Sequence, residues 1–142
     1  MKLLAWAILS LGLLTAVSSP ILAQESQQQG ARVELKQNFP NPFNPETTIP
    51  FSLPESLFAG GAKPVVSLRI YNVLAQLVAI PILQGSGEPL DNVRLEWNGT
   101  GQYSAYWDGK VRNTDREAAS GVYVYQLVVN GERHTGKMTI VK

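Results

Sequence analysis

The sequence contains no cysteine and a single histidine, His134, in 142 residues. The first absence removes disulfides, on which small exported domains often rely, together with thiol nucleophiles and thiolate metal sites. The second leaves one imidazole with no cysteine partner and no Gly-x-Ser-x-Gly elbow, so a nucleophile–base pair has nothing to be built from. His134 is expected as an exposed residue at a strand end, and a His-based zinc site lacks further ligands. Charge of either sign is not in excess: 12 Lys and Arg stand against 11 Asp and Glu. A chain this close to neutral has no electrostatic footprint for nucleic acid, and no nucleic-acid partner is expected. Outside the N-terminal region no helix start signal is followed by an apolar stripe. Neither enzymatic activity nor a cofactor is expected.

Carboxylates are the remaining route to chemistry. Asp108, Asn113 and Asp115 share one loop and are the candidate oxygen ligands for Ca²⁺, which needs six to eight. Lys110, Arg112 and Arg116 interleave with them and repel the ion, so a solvated loop in which Asp108 bonds its own turn is preferred. As a glycosidase pair, these carboxylates have no evident cleft.

What is present starts with an export signal. Met1-Lys2 is a short basic start, residues 3–17 are uncharged and mostly apolar, and Ser18-Ser19-Pro20 breaks the run before Ile21-Leu22-Ala23. Ala23 suits the −1 position of signal peptidase, so residues 1–23 read as a cleaved signal peptide. An apolar run of about 15 residues is short of the roughly 20 that span a bilayer. Loss of Lys2 leaves 11 cations against the 11 acids. Residues 24–34, opening Gln-Glu-Ser-Gln-Gln-Gln-Gly, read as a flexible leader. Residues 35–142 are long enough for one domain held by core packing alone.

Along this domain the periodicity is two. Residues 35–54 begin with Asn38, Asn41 and Asn44 interleaved with Pro40, Pro42 and Pro45, which forbid helix and invite Asx-turns. Phe39 and Phe43 are read as apolar plugs of an ordered, extended loop packed on a sheet. Ile49, Phe51 and Leu53 then alternate with polar residues and Pro50, which predicts an edge or bulged strand because proline removes a ladder donor. Val66, Leu68 and Ile70 make a strand, residues 72–75 a tight turn, and residues 76–83 a further strand. Val93, Leu95 and Trp97 alternate before Asn98-Gly99, which predicts a hairpin with residues 102–107. Asn98-Gly99-Thr100 matches the glycosylation sequon but is explained by that turn.

Residues 121–129 place Tyr123, Tyr125, Leu127 and Val129 on one face and Val122, Val124, Gln126 and Val128 on the other. Asn130-Gly131 then predicts a two-residue hairpin turn, followed by a last strand that buries Met138 and Ile140 and leaves Lys137 and Lys142 available. Most of Trp97, Tyr103, Tyr106, Trp107, Tyr123 and Tyr125 are expected in the core; Tyr103 and Tyr106 are the candidates for an exposed sugar-stacking platform. About seven short strands with regular turn signals predict an antiparallel β-sandwich of immunoglobulin-like topology.

Leu35-x-Gln-Asn-x-Pro-Asn-Pro-Phe-Asn-Pro-x-Thr-x-Ile49, with Phe51-x-Leu-Pro54, resembles the opening of type A C-terminal sorting domains of the bacterial type IX secretion system. Leu68-x-Ile-Tyr-Asn72, Trp107-Asp108-Gly109, Ser120-Gly121-Val-Tyr123-x-Tyr-x-Leu127, Gly131 and Lys137-Met138 resemble its later motifs. The stretch from Trp107 to Tyr123 is also similar to immunoglobulin-like domains of flagellar hook-capping proteins. The resemblance implies an Ig-like module that routes a Sec-exported protein through the periplasm and across the outer membrane to the cell surface or medium. It implies the secretion translocon and a sortase-like surface peptidase as partners, with surface glycolipid as the acceptor. The recognised residues would be Asn38, Pro40, Asn41, Pro42, Phe43, Asn44, Pro45, Trp107, Asp108, Gly109, Gly121, Tyr123, Gly131, Lys137, Met138 and Lys142, read along the edge of the last strand. The alternative is an adhesive module that binds a surface protein or glycan. Three features depart from the family pattern: Ala75 in place of a turn glycine, a long stretch 84–103, and no glycine in 110–119. Ala75 is expected to take a conformation that alanine accepts.

Overall fold

The computed structural model describes Gly12 and residues 32–142. The signal peptide and leader residues 24–31 lie outside the described residues apart from Gly12. Nine strands run through the described part: Glu34–Leu35 (β1), Thr47–Ser52 (β2), Val65–Tyr71 (β3), Leu77–Ala79 (β4), Ile82–Leu83 (β5), Val93–Arg94 (β6), Gln102–Trp107 (β7), Gly121–Val129 (β8) and Glu132–Ile140 (β9). One sheet has the order β1-β2-β7-β5; the other has β4-β3-β8-β9, with β6 also pairing β3. Read as strands A, B, E, D and C′, C, F, G, this is the immunoglobulin arrangement of two antiparallel sheets. The expected all-β sandwich is the fold, and a tyrosine near the start of its F-like strand completes the likeness. Tyr123 donates its hydroxyl back to the Ala119 carbonyl at 2.7 Å, the tyrosine corner of such sandwiches.

The alternation expected of the strands sets the core. Ile49, Phe51, Ala105 and Trp107 of one sheet face Val66, Leu68, Ile70, Tyr123, Tyr125, Leu127, Met138 and Ile140 of the other, all buried. Each large side chain so buried stabilises the fold by about 1.5–3 kcal/mol. Asn130 and Gly131 have φ of 48° and 84°, the doubly positive turn that the Asn-Gly pair was expected to make.

Three strand expectations are corrected. β2 lies inside its sheet, paired with β7 throughout and with β1 at one end. Pro50 is tolerated because its carbonyl, which accepts from the Lys36 amide at 3.0 Å, faces β1 just where that ladder ends. The amide and carbonyl of one residue point the same way, so the missing donor faces the ladder's end. Residues 76–83 are two strands, not one: β4 pairs β3 and β5 pairs β7, so the chain changes sheets across buried Pro81. The hairpin expected over 93–107 does not form. β6 pairs β3, and Asn98 instead closes its own loop by accepting the amides of Thr100 and Gly101 at 3.0 and 2.8 Å.

Candidate functional site

Most of the motif residues, spread over about a hundred positions, come together at one end of the sandwich; Gly131, in the β8–β9 turn, lies at the other. The segment from Asn38 to Thr47 is folded onto itself by two buried polar side chains. Asn38 Nδ2 donates to the Pro40 carbonyl at 3.2 Å and to Thr47 Oγ1 at 3.0 Å, and the Thr47 hydroxyl faces the carbonyls of Phe39 and Pro40, both at 3.2 Å. The peptide bonds preceding Pro40, Pro42 and Pro45 are cis. Asn41 does not cap its own turn. Its Oδ1 reaches β9 and accepts the Thr139 amide at 3.0 Å.

Phe43 follows into the core, 1% exposed. Its amide donates to the Thr139 carbonyl at 3.0 Å and its carbonyl accepts from the Val141 amide at 3.1 Å, which makes a parallel bridge to the end of β9. Its ring meets Trp107 edge-on with centroids 5.5 Å apart, and Trp107 meets Tyr123 likewise at 5.9 Å. Gly109 closes the cluster. It has φ of 80°, and a Cβ there would collide with the Pro45 carbonyl. The Trp-Asp-Gly and Asn-Pro motifs therefore fix one another by direct backbone contact.

Other expectations change here. Phe39 is no plug: it is 57% exposed beside Pro40, Pro45, Glu46 and Tyr106, around an open cleft of about 350 Å³. Tyr103 is not a platform, since its ring stacks on Phe51 at 5.5 Å and its hydroxyl donates to the Glu96 carbonyl at 2.6 Å. Trp97 is 37% exposed and leans on Phe58 rather than entering the core. Burial raises the Tyr103, Tyr123 and Tyr125 hydroxyls above their ordinary range, and burial followed by the Glu46 carboxylate raises Tyr106.

His134 is half-buried on the core side of β9, not exposed; its Nε2 lies 3.2 Å from Glu132 Oε1 without hydrogen-bond geometry. Ala75 adopts φ of 59°, so the turn keeps the left-handed geometry of a glycine instead of relaxing to suit alanine. Lys142 is exposed; its ammonium lies 3.7 Å from Glu117 and its amide donates to Ser120. The edge at residues 137–141 is not open, because Gln37, Asn41 and Phe43 occupy it. Gln37 and Thr47 stand in the motif but not among the expected recognised residues; Gln37 serves by a partner a hundred positions away, which local spacing does not reveal, and Thr47 by Asn38, Phe39 and Pro40 of its own segment. Lys137 remains exposed, and Gly121 and Gly131 sit at the ends of the hairpin strands.

The calcium candidates do not assemble. Asp108 Oδ1 accepts the Lys110 amide at 2.9 Å in its own turn. Asp108, Asn113 and Asp115 line an open cleft of about 520 Å³ with Lys110 and Arg112 in its wall. Among the described residues no three His, Cys, Asp or Glu are grouped to hold a metal ion.

No family model and no curated protein matches the chain. Among solved structures, 82% of the chain is similar to 32% of the Pseudomonas fluorescens alkylpurine DNA glycosylase AlkC bound to DNA containing an abasic site analog, at 20% identity and a TM-score of 0.41. The chain therefore spans about a third of that protein. The matched protein is an enzyme bound to DNA, against two expectations drawn from the sequence, that the chain is not an enzyme and has no nucleic-acid partner. Both are withdrawn as corrections; a likeness this distant transfers neither activity nor DNA binding to this chain.

Proposed function

We propose that the chain is a secretion-sorting module that directs an exported protein across the outer membrane through the type IX secretion system and to the cell surface. The observation that carries this reading is the convergence of the family-like motifs. The Asn-Pro segment, the Trp-Asp-Gly turn and the terminal hairpin form one ordered surface through Asn41–Thr139, Phe43–Trp107 and Pro45–Gly109. A folded address label needs such a surface, because its reader meets shape rather than a linear peptide. Pro40, Pro42, Asn44 and Pro45 remain exposed on it.

The test inserts a fluorescent reporter after Gly30 of the full chain in a host with this secretion system. Reporter at the surface or in the medium is the expected result. Asn44→Ala, which removes an exposed side chain that bonds nothing among the described residues, lowers export while the purified variant stays folded. Reporter retained in the periplasm overturns the reading.

A second reading, an adhesive module for a surface protein or glycan, is favoured by the exposure of Phe39 beside Tyr106. Saturable binding on a glycan array, lost in Phe39→Ala and Tyr106→Ala, supports it. A blank array in which both variants match the parent removes the glycan form of that reading.

A further inference from the structure

Phe39 presents a large apolar side chain to water from a backbone that is held in place. Its amide donates to the Thr48 carbonyl and its carbonyl accepts from the Thr48 amide, both at 2.9 Å. Residues directly opposite one another in an antiparallel pair share a face of the sheet. Phe39 stands opposite Thr48, Thr48 opposite Tyr106, and Tyr106 opposite Ile82. Ile49, Ala105 and Trp107, their neighbours along the strands, are buried in the core, so this row faces outward. With strands about 4.8 Å apart, the backbones of Phe39 and Tyr106 lie about 10 Å apart, and only the short Thr48 side chain stands between their rings.

The cleft of about 350 Å³ at this row also has exposed Glu46 in its wall, and no lysine or arginine is among its lining residues. Its field is negative. After burial, the Glu46 carboxylate bonded to the Tyr106 hydroxyl and then Asp108 raise that hydroxyl above its ordinary range. Two aromatic rings and an accessible carboxylate with no cation in the wall are complementary to a cation that has a flat apolar face. An ammonium is compact and strongly hydrated. A guanidinium is planar and weakly hydrated, stacks on aromatic rings and still bonds a carboxylate. A neutral sugar stacks on the rings but does not answer the charge.

We infer that the cleft between Phe39 and Tyr106 binds an arginine side chain of a partner protein, its guanidinium stacked against the rings and bonded to the Glu46 carboxylate. This deepens the adhesive reading in its protein form, and rests on it, by naming the group that is bound. It does not rest on the sorting proposal. Phe39 and Glu46 are the two positions between Asn38 and Thr47 that the Asn-Pro motif leaves unspecified, so the site belongs to this chain and not to the motif.

The experiment titrates the ¹⁵N-labelled full chain with acetyl-Gly-Arg-Gly-amide and, separately, with its citrulline and lysine counterparts. The arginine probe shifts the Phe39, Glu46, Thr48 and Tyr106 amides. It binds roughly three- to tenfold tighter than the neutral citrulline probe, the size expected of one exposed cation–π contact with one exposed ion pair. The lysine probe, which lacks the flat face, binds more weakly than arginine. Glu46→Gln keeps the shape of an exposed side chain and lowers the preference for arginine over citrulline roughly twofold or more. Phe39→Ala, also at an exposed position, weakens the arginine probe while the remaining amide spectrum stays that of the folded parent. Shifts confined to other residues, equal affinity for arginine and either counterpart, or a preference unchanged by Glu46→Gln overturns the proposal. Saturable glycan binding at this cleft with no preference for arginine overturns it too, and leaves the adhesive reading standing.

Discussion

The ring of Tyr125 on β8 lies across the backbone of Gly136 on β9, and its hydroxyl continues past the sheet edge to donate a 3.0 Å hydrogen bond to the Lys36 carbonyl. An aromatic laid over a strand glycine fills the space its missing side chain leaves, and here it also ties the end of β1 to the opposite sheet. A Cβ at Gly136 would overlap the Tyr125 ring. Gly136→Ala is therefore expected to cost about 2 kcal/mol, the range of an overpacked core, read as a lower urea midpoint. Tyr125→Leu in the same chain relieves the clash, so the double variant loses less than the sum of the singles. Additive losses would show that the ring does not rest on Gly136.

Thr47 tests how far the Asn-Pro segment is held by polar burial. Its hydroxyl serves Asn38 Nδ2 and the carbonyls of Phe39 and Pro40 at once, inside the protein. Thr47→Val keeps the shape and leaves the Asn38 amide short of an acceptor. A loss of about 1–3 kcal/mol is expected in chemical unfolding, as for an unsatisfied buried group. Unchanged stability would mean that the segment is held by Phe43 alone.

Strands with one wet face were legible in the sequence. Alternation gave β2, β3 and β8 with their buried residues, because a period of two needs only local order. It failed where both faces are covered. Residues 77–83 are apolar nearly throughout, so periodicity could not place the change of sheet at Pro81. β6 was assigned to its sequence neighbour, yet it pairs with Val65 and Val66 of β3. Phe39 and Phe43 are identical in chemistry and lie four residues apart. Which one goes inside is decided by Thr139 and Val141, nearly a hundred residues away, so no local reading could choose between them. The motif residues themselves were visible from resemblance; their meeting on the β9 edge was not.

Ala75 carries a backbone conformation that L residues resist. Its φ of 59° sits in the turn where Asn72 Oδ1 accepts the amides of Leu74 and Gln76, both at 3.0 Å. Left-handed backbone costs a residue with a Cβ about 1–2 kcal/mol, partly offset by the greater freedom glycine has when unfolded. Ala75→Gly is expected to raise stability by about 0.5–1 kcal/mol, seen as a higher melting temperature. A lower one would mean that the turn relaxes out of this conformation.

The buried tyrosines set an alkaline limit. Burial raises the Tyr123 and Tyr125 hydroxyls in the folded chain above the value of about 10 that they have when unfolded. Below that pH both states keep the proton, so these groups contribute no pH dependence. Above it the unfolded chain releases protons that the folded chain retains, and stability falls as pH rises from the unfolded value toward the folded one. Each hydroxyl also donates to a carbonyl, Tyr123 to Ala119 and Tyr125 to Lys36, which the anion cannot do. Tyr123→Phe/Tyr125→Phe should be less stable than the parent at neutral pH by about 1–3 kcal/mol, the worth of two hydrogen bonds. Its urea midpoint should then decline less between pH 9 and 11 than the parent's, with lysine titration common to both. Parallel declines would show that the two hydroxyls titrate alike in folded and unfolded chains, and that burial at the tyrosine corner does not hold their protons.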